Sequence, residues 1–438
     1  MSGQSGPRGA AALAAAVLSL LAAETRAQVP RPADAPGQCA DGSPAASGDA
    51  ILPARLADSL SPRLRPLVTD AETHRLQILV GEVIEREGQK PCLRQRGYRV
   101  DAEYFYPASS IKILAAIAAL ESLSGEPWTR DVNLAEPLYV HAPSRAAFEG
   151  LSAADRHDAK VLAEATFEPT RAGSLEALIA ASLVVSSNAA FNRLFDVAGH
   201  EHLNRAMWSA GLDSARLRHR LFSPRTKQQE RFSPAISVPA GRGALEPALP
   251  ARTSDLELPP LDITGQKIGS TYIEDGAVRT GPMDFSGFNY LSLRDHQALM
   301  IALHRPELTD VDFSGLGREH RELLTEAMLR DPAAFAEERG QDLGADPERR
   351  FKPARPGVAE VLPRERIRYY NKGGRAYGFH IENAYIADAR SDRGVFLTAV
   401  AYVNENRRLN DNVYEYDELS FPLFHELGEL VARRAFAR

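Results

Sequence analysis

The stretch Tyr106-Pro-Ala-Ser-Ser-Ile-Lys-Ile-Leu places Ser109 and Lys112 three positions apart, at the head of an alanine- and leucine-rich run from Ser110 to Leu123. That run contains no Gly or Pro and reads as a helix. A serine hydroxyl is a poor nucleophile at neutral pH and needs a neighbouring base. Side chains at i and i+3 share a helix face. A lysine can act as that base when burial and nearby charge lower its pKa. Lysine is scarce in the chain: Lys90, Lys112, Lys160, Lys227, Lys267, Lys352 and Lys372 are the full set. A single S-x-x-K also arises by chance. Taken alone it is explained by a capped helix start, with Ser109 or Ser110 as N-cap and Lys112 in solvent.

Two further motifs follow in the chain. Ser186-Ser-Asn188 lies inside Val184-Val-Ser-Ser-Asn-Ala-Ala-Phe-Asn192, and Lys372-Gly-Gly374 stands just before a strand-like Ala376-Tyr-Gly-Phe. Singly, the first is a helix junction and the second a turn. In the order S-x-x-K, S-x-N, K-x-G, each in its structural context, they point to a serine acyl-transfer site.

The rest of the sequence sets the frame. With 438 residues, 44% of them hydrophobic, the chain can bury a full core in one large domain or in two to three smaller ones. A net charge of -6 gives no basic footprint for nucleic acid. Arg8, the apolar run Gly9 to Ala23 and the small residues of Thr25-Arg26-Ala27 read as a secretory leader cleaved before Gln28. An uncleaved anchor is the alternative, although the run is short for a membrane span. No cysteine follows the cleavage point, which argues against a lipoprotein. The expected product is soluble and exported, periplasmic or secreted, with no membrane span after processing. Cys39 and Cys92 are the only cysteines, and in an exported chain they favour one disulfide over two free thiols.

Residues 28–72 are rich in Pro, Ala and Gly and read as an irregular lead-in. Strands are expected over Arg75 to Arg86 and Gln95 to Tyr106, and one or two helices over Ser174 to Val197. From Arg216 to Pro260 periodicity fails, as an expanded loop would. Helices are expected over Asp295 to Leu303 and Glu319 to Leu329, and a charged surface excursion over Ala336 to Arg364. Strands follow over Arg375 to Ala387 and Val395 to Val403, then an amphipathic helix from Phe421 to Arg438. Strands at both ends with helices between them predict an α/β (α+β) fold, its sheet built from both chain ends and flanked by helices, with a helical region in the middle.

On these residues the chain resembles the penicillin-recognising serine enzymes, the class A β-lactamases and the D-Ala-D-Ala peptidases. More narrowly, it is similar to the large exported members of the class A β-lactamase-like serine hydrolase family. Besides the three motifs, Gly281-Pro-Met-Asp-Phe-Ser, Ala384-Tyr-Ile-Ala and Asp411-Asn-Val-Tyr-Glu-Tyr-Asp carry the likeness. The resemblance spans residues 73–435. It implies an antiparallel sheet from parts 73–108 and 365–438, a helical part 109–364 with an expanded loop 216–260, and the site at their interface. It further implies Ser109 as nucleophile, Lys112 as its base and Ser186 as proton relay, with Lys372 supplying positive charge. Asn188, Gly374 and Arg375 would hold the substrate, and the backbone N–H groups of Ser109 and Arg375 would form the oxyanion hole. The implied partner is a small β-lactam or a cell-wall peptide, with no metal and no organic cofactor.

Three departures stand out. The family's deacylating glutamate would fall near Leu221, where no carboxylate stands; Glu230 is the nearest downstream candidate and Glu246 a weaker one, both readable as solvated loop residues. His219 is a further conceivable base with nothing visible in the sequence to orient it. Gly373 stands where Thr or Ser is usual, and Arg375 or another arginine could replace that hydroxyl by charge. Ser187 stands where Asp is usual. The chain is therefore expected to be a β-lactamase-like hydrolase, a D-Ala-D-Ala carboxypeptidase that deacylates slowly, or, third, a non-catalytic exported binding or sensor protein. There is no G-x-S-x-G elbow, and His425-Glu-Leu-Gly-Glu lacks the second histidine of a zinc site.

Overall fold

The computed structural model describes residues 38–39, 49–51 and 53–437, apart from 124, 126, 144–148, 153, 166, 223–224 and 392. The predicted leader, residues 1–27, lies outside the described residues. Among the described residues no helix is long and apolar enough to cross a membrane.

A seven-stranded sheet organises the molecule. Its strands are β1 (Asp49–Ala50), β2 (Gln77–Ile84), β3 (Cys92–Tyr98), β4 (Ile367–Asn371), β5 (Gly374–Ala376), β6 (Phe379–Asp388) and β7 (Gly394–Tyr402). The order is β1-β3-β2-β7-β6-β4, with β5 also pairing β6. Only the β1–β3 pair is parallel. The two chain ends meet at the antiparallel β2–β7 pair, where Val80 faces Leu397. β7 is buried along its whole length, as an apolar strand covered on both faces must be. One face packs on α8 (Arg355–Ala359) and α9 (Phe421–Phe436), where Val358, Leu423, Phe424 and Leu427 meet Ala384, Ile386 and Leu397. The other face packs on α6 (Leu293–His304) and the helical core of α3 (Lys112–Ser122), α4 (Leu175–Val184) and α5 (Asn188–Ala198).

Several expectations shift. The lead-in is not irregular throughout: α1 (Pro53–Ser59), α2 (Arg65–Thr69) and the turn between them bury Leu56, Leu60, Leu64 and Leu67 under the sheet. The second strand ends at Tyr98 rather than Tyr106, because Arg99 and Asp101 take left-handed backbone angles and turn the chain toward the motif. The stretch 216–260 is not structureless; it holds the short helix Lys227–Glu230 and an antiparallel hairpin, Ile236–Gly241 with Ala244–Leu249. Proline within that hairpin and its half-exposed outer strand hid the alternation. The segment 336–364 is a surface excursion only in its first half: residues 337–342 and 344–346 are exposed, whereas Lys352, Ala354, Val358 and Leu362 are buried. α7 (Arg318–Leu329) forms close to where periodicity put it.

Cys39 and Cys92 are joined in a disulfide with a sequence separation of 53. Closing a loop of that length contributes about 4 kcal/mol in the chain-entropy account. Replacing both cysteines by serine is expected to lower urea-unfolding stability by about 2 to 4 kcal/mol. A double variant as stable as the parent would mean that the tie adds nothing.

Candidate active site

Ser109 lies in a single 3₁₀ turn, Ala108–Ile111, that feeds directly into α3. Two serines compete for attention there, and their environments separate them. Ser110 is fully buried, its Oγ 2.6 Å from Pro107 O and 2.7 Å from His296 Nε2 on α6. Ser109 is half-buried, at the surface of the turn. Strand β5 closes over it: a Cβ on Gly374 would collide with the backbone nitrogen of Ser109 and come within 2.9 Å of that of Ser110. Only glycine permits this approach.

Lys112 is not the solvated residue of a simple helix cap. It is 0% exposed. Its Nζ donates to Ser186 O and to Asn188 Oδ1 at 2.6 Å, and lies 3.1 Å from Ser186 Oγ. Burial, and then the nearby positive charge of Lys372, push its pKa well below the usual lysine value. Ser186 sits at the break between α4 and α5 with φ +57, a left-handed angle that turns both its carbonyl and its hydroxyl toward Lys112. Ser187 caps α5, its Oγ accepting from Ala190 N at 3.2 Å. A serine serves that N-cap well, which accounts for the missing aspartate.

Lys372 arrives from the opposite side, at the end of β4. Its Nζ lies 3.1 Å from Ser186 Oγ and 2.9 Å from Gly373 O. Burial lowers it to about 7, against the opposing pull of Glu382. The structure thus brings Lys112, Ser186, Asn188 and Lys372 together beside Ser109, between the sheet and the helical region. Among the described residues no hydrogen bond joins Ser109 to Lys112 directly.

Arg375 follows Gly374 on the same strand and borders the cleft that opens beside it. Side chains alternate along a strand, and Gly374 faces Ser109. The Arg375 guanidinium accordingly stacks over Phe421 at 4.5 Å and Tyr416 at 5.6 Å. Its charge is held against the start of α9 rather than at the position of the missing hydroxyl.

The other wall of the site is built by residues 217–222 and 225–232. Asn192 clamps Leu221 through two reciprocal bonds, Nδ2 to Leu221 O and Leu221 N to Oδ1. The buried Leu221 therefore stands on the wall where a carboxylate was sought. Glu230 is not a solvated loop residue: it is 3% exposed, and its Oε2 accepts from Arg220 N and Nη1. Its Oε1 is buried and has no hydrogen-bond partner among the described residues. Glu246 is the solvated one, half exposed beside Arg130. His219, which sequence left unoriented, has its Nδ1 2.7 Å from Arg220 O and its ring edge on Phe288. Next to the motif residues opens a cleft of about 770 Å³, bordered by Tyr106, Arg375, Tyr377, His219, Glu230 and Tyr414 and not by Ser109, Lys112, Ser186, Asn188 or Lys372 themselves. That is room for a drug-sized molecule.

Residues 95–240, about a third of the chain, match the β-lactamase enzyme family. Over that segment the chain is β-lactamase-like. The matched segment carries Ser109, Lys112, Ser186 and Asn188, while Lys372 lies beyond it. No curated protein matches the chain. Among solved structures it is similar to a β-lactamase from Desulfarculus baarsii, at 17% identity over 87% of this chain and 98% of that one, with a TM-score of 0.42. It is likewise similar to a β-lactamase from Xanthomonas campestris, at 15% identity over 86% and 97%, with a TM-score of 0.41. A class A β-lactamase from Mycobacterium abscessus is 16% identical over 85% and 98%, with a TM-score of 0.41.

Residues outside the three motifs also shape the site. Sequence reasoning missed Asp196 and Arg220, and it missed Glu382 and Lys352 behind the K-x-G strand. One signal was available: Glu382 interrupts the apolar run of Phe379–Asp388, on the face that carries Ala384 and Ile386. The segment around His425 carries out structural work, with Glu426 accepting from Ser61 N and Glu429 pairing with Arg433.

Proposed function

We propose that the chain is an exported serine hydrolase of β-lactamase type, with residues 73–435 as its catalytic unit. The observation that carries this reading is Ser186 Oγ, 3.1 Å from the amines of both Lys112 and Lys372. A neutral Lys112 has two N–H groups, for Ser186 O and Asn188 Oδ1, and one lone pair. Ser109 gives its proton to that lone pair as Oγ attacks the substrate carbonyl. As the tetrahedral intermediate collapses, Ser186 passes its proton to the departing nitrogen and is reprotonated from Lys112. A cationic Lys372 on Ser186 favours this transfer. Backbone N–H groups at Ser109 and Arg375 would stabilise the oxyanion, at about 3 kcal/mol each. Asn188 and Gly374 would border the bound amide. Export rests on the leader-like first 27 residues and on the Cys39–Cys92 tie.

Deacylation requires a base to take a proton from water, so that hydroxide can attack the acyl carbon and release Ser109. Glu230 is the candidate, through its unpartnered Oε1. Glu230→Gln is then expected to trap the acyl-enzyme and slow turnover by about 10²-fold or more. Unchanged turnover would remove Glu230 from the mechanism.

A second reading, a D-Ala-D-Ala peptidase that β-lactams acylate and leave acylated, is favoured by one observation: the clamped, apolar Leu221. Intact mass followed over time with a chromogenic cephalosporin separates the two. Turnover without a lasting adduct supports hydrolysis, and a persistent adduct on Ser109 supports the peptidase. Neither adduct nor turnover, with β-lactams or esters, would remove both.

A further inference from the structure

A buried carboxylate lies directly behind the strand end that carries Lys372. Glu382 on β6 is 0% exposed. Its Oε1 accepts from Asn371 Nδ2 at 2.7 Å and from Tyr369 OH at 3.2 Å. Asn371 is bonded in turn, through its Oδ1, to Lys352 Nζ at 3.1 Å. Lys352 also donates to Met328 O at 2.6 Å and Tyr369 O at 3.2 Å. The second carboxylate oxygen, Oε2, has no hydrogen-bond partner among the described residues. It lies 2.7 Å from where a Cβ on Gly373 would stand, and Ile381 O lies 2.6 Å from that same point. Any side chain at 373 would collide with both.

The carboxylate thus packs against both chain neighbours of Lys372, bonded to Asn371 and pressed against the Gly373 position, and buried Lys352 bonds the same Asn371. Burying a charge without a partner is costly, so each of the three groups depends on the others. Burial lifts Glu382 to about 7 and lowers both lysines to about 7, and each lysine is pulled back up by Glu382. The remaining groups around the cluster do not replace this balance. Arg355 and Asp331 act on Lys352 with opposite signs. Tyr369 stays protonated through burial. His380, on the same face of β6, is kept neutral by burial and by Arg375, with its Nδ1 2.7 Å from Ser420 Oγ.

We infer that Glu382 is a positioning residue of the Ser109 site: its carboxylate is the counter-charge that keeps Lys372 an ammonium, and it occupies the volume that a residue larger than glycine at 373 would need. The inference rests on the role proposed above for Lys372, but its charge component can be read without any activity. The absent hydroxyl at 373 and the buried glutamate at 382 are then two sides of one substitution in the design of the site. Lys372 Nζ meets Ser186 Oγ and Gly373 O in front, while Glu382, bonded to Asn371, stands behind its strand end.

The experiment uses the scarcity of lysine. With seven lysines in the chain, ¹³Cε-labelled lysine gives a spectrum simple enough to assign, with Lys372→Arg identifying its signal. Glu382→Gln keeps the shape and removes the charge. The Lys372 midpoint is expected to fall by about one to three pH units, as loss of one close opposite charge does. Lys352→Met removes the competing amine and is expected to move the midpoint up. Thermal melts establish that each variant is folded, and if Glu382→Gln fails to fold the direction seen in Lys352→Met decides. A folded Glu382→Gln whose Lys372 midpoint stays put, or a Lys352→Met whose midpoint falls, overturns the inference. If the wild type also forms the mass adduct, the alkaline limb of acylation must shift with the same sign in each variant. A protein that shows the spectroscopic shifts but no adduct keeps the counter-charge and loses the hydrolase reading.

Discussion

Ser109→Ala is expected to eliminate the acyl adduct and to reduce turnover of a chromogenic cephalosporin by about 10⁴-fold or more, the scale seen when a covalent nucleophile is removed. Its neighbour supplies the control. Ser110→Ala deletes a hydroxyl bonded within the turn and to α6, so it should cost about 1 to 3 kcal/mol of stability while the adduct still forms. Lys112→Met keeps most of the side-chain volume and removes the base, and acylation should fall by about 10² to 10⁴-fold. The sign of the pH dependence follows from the two amines. Lys112 must be neutral to accept the Ser109 proton, and burial, then the charge of Lys372, shift it toward that form. Lys372 must be cationic, and its pKa is lowered to about 7. Acylation should therefore decline as pH rises through about 7, where Lys372 loses its proton. A profile that climbs steadily to pH 9 would show that Lys372 keeps its charge by other means.

How far the sequence foretold this arrangement depends on the range of the interaction involved. The sheet from both chain ends was legible because β2, β6 and β7 are strongly apolar and bounded by turns. Strand β4 was missed. It is five residues long and alternates buried with half-buried positions behind a charged segment, so its pairing with β6 is decided by tertiary contacts and not by local pattern. The same holds for Pro53–Ser59 and Arg65–Thr69. Their composition suggested a lead-in, yet four leucines in and between them, buried against the sheet, make them part of the core. Short helices draw most of their stability from such packing.

In the site, what was legible were residues fixed by motif: Ser109, Lys112, Ser186, Asn188 and Lys372 converge within hydrogen-bonding reach of one another or of the same turn. What was not legible were charges that meet only in the fold. Arg375 was expected to offer its charge in place of a hydroxyl at 373; it borders the cleft, but its guanidinium lies over Phe421 and Tyr416, residues distant in the chain. Glu230 was expected in solvent. The residue that withdraws it from solvent, Arg220, also binds Asp196, 24 positions earlier in the chain, and no periodicity links the three.

That buried triad is where a single substitution should cost most in stability. Arg220 is 1% exposed and its guanidinium makes five hydrogen bonds: two to Asp196 Oδ1, one each to Glu230 Oε2 and Glu230 O, and one to Phe232 O. It also lies 4.4 Å over the Phe195 ring. Arg220→Met preserves volume but leaves two buried carboxylates short of their main partner, and a loss of about 3 to 5 kcal/mol in urea unfolding at pH 7 is expected. The pH dependence identifies the cause. Burial alone would raise the Asp196 carboxyl, but Arg220, Arg225 and Arg193 together hold it below its ordinary value. In the wild type that depression contributes stability above the unfolded pKa, and the contribution fades as pH falls through the folded one. Without Arg220 the folded pKa rises, so the carboxylate destabilises the variant at neutral pH and acid relieves it. The gap between wild type and variant should narrow between pH 7 and about pH 4.5. A gap that stays constant over that range would assign the loss to packing around Phe195 instead of to unpaired charge. The wall that carries Leu221 and Glu230 would then owe its position to shape, and deacylation should survive in the folded fraction of Arg220→Met.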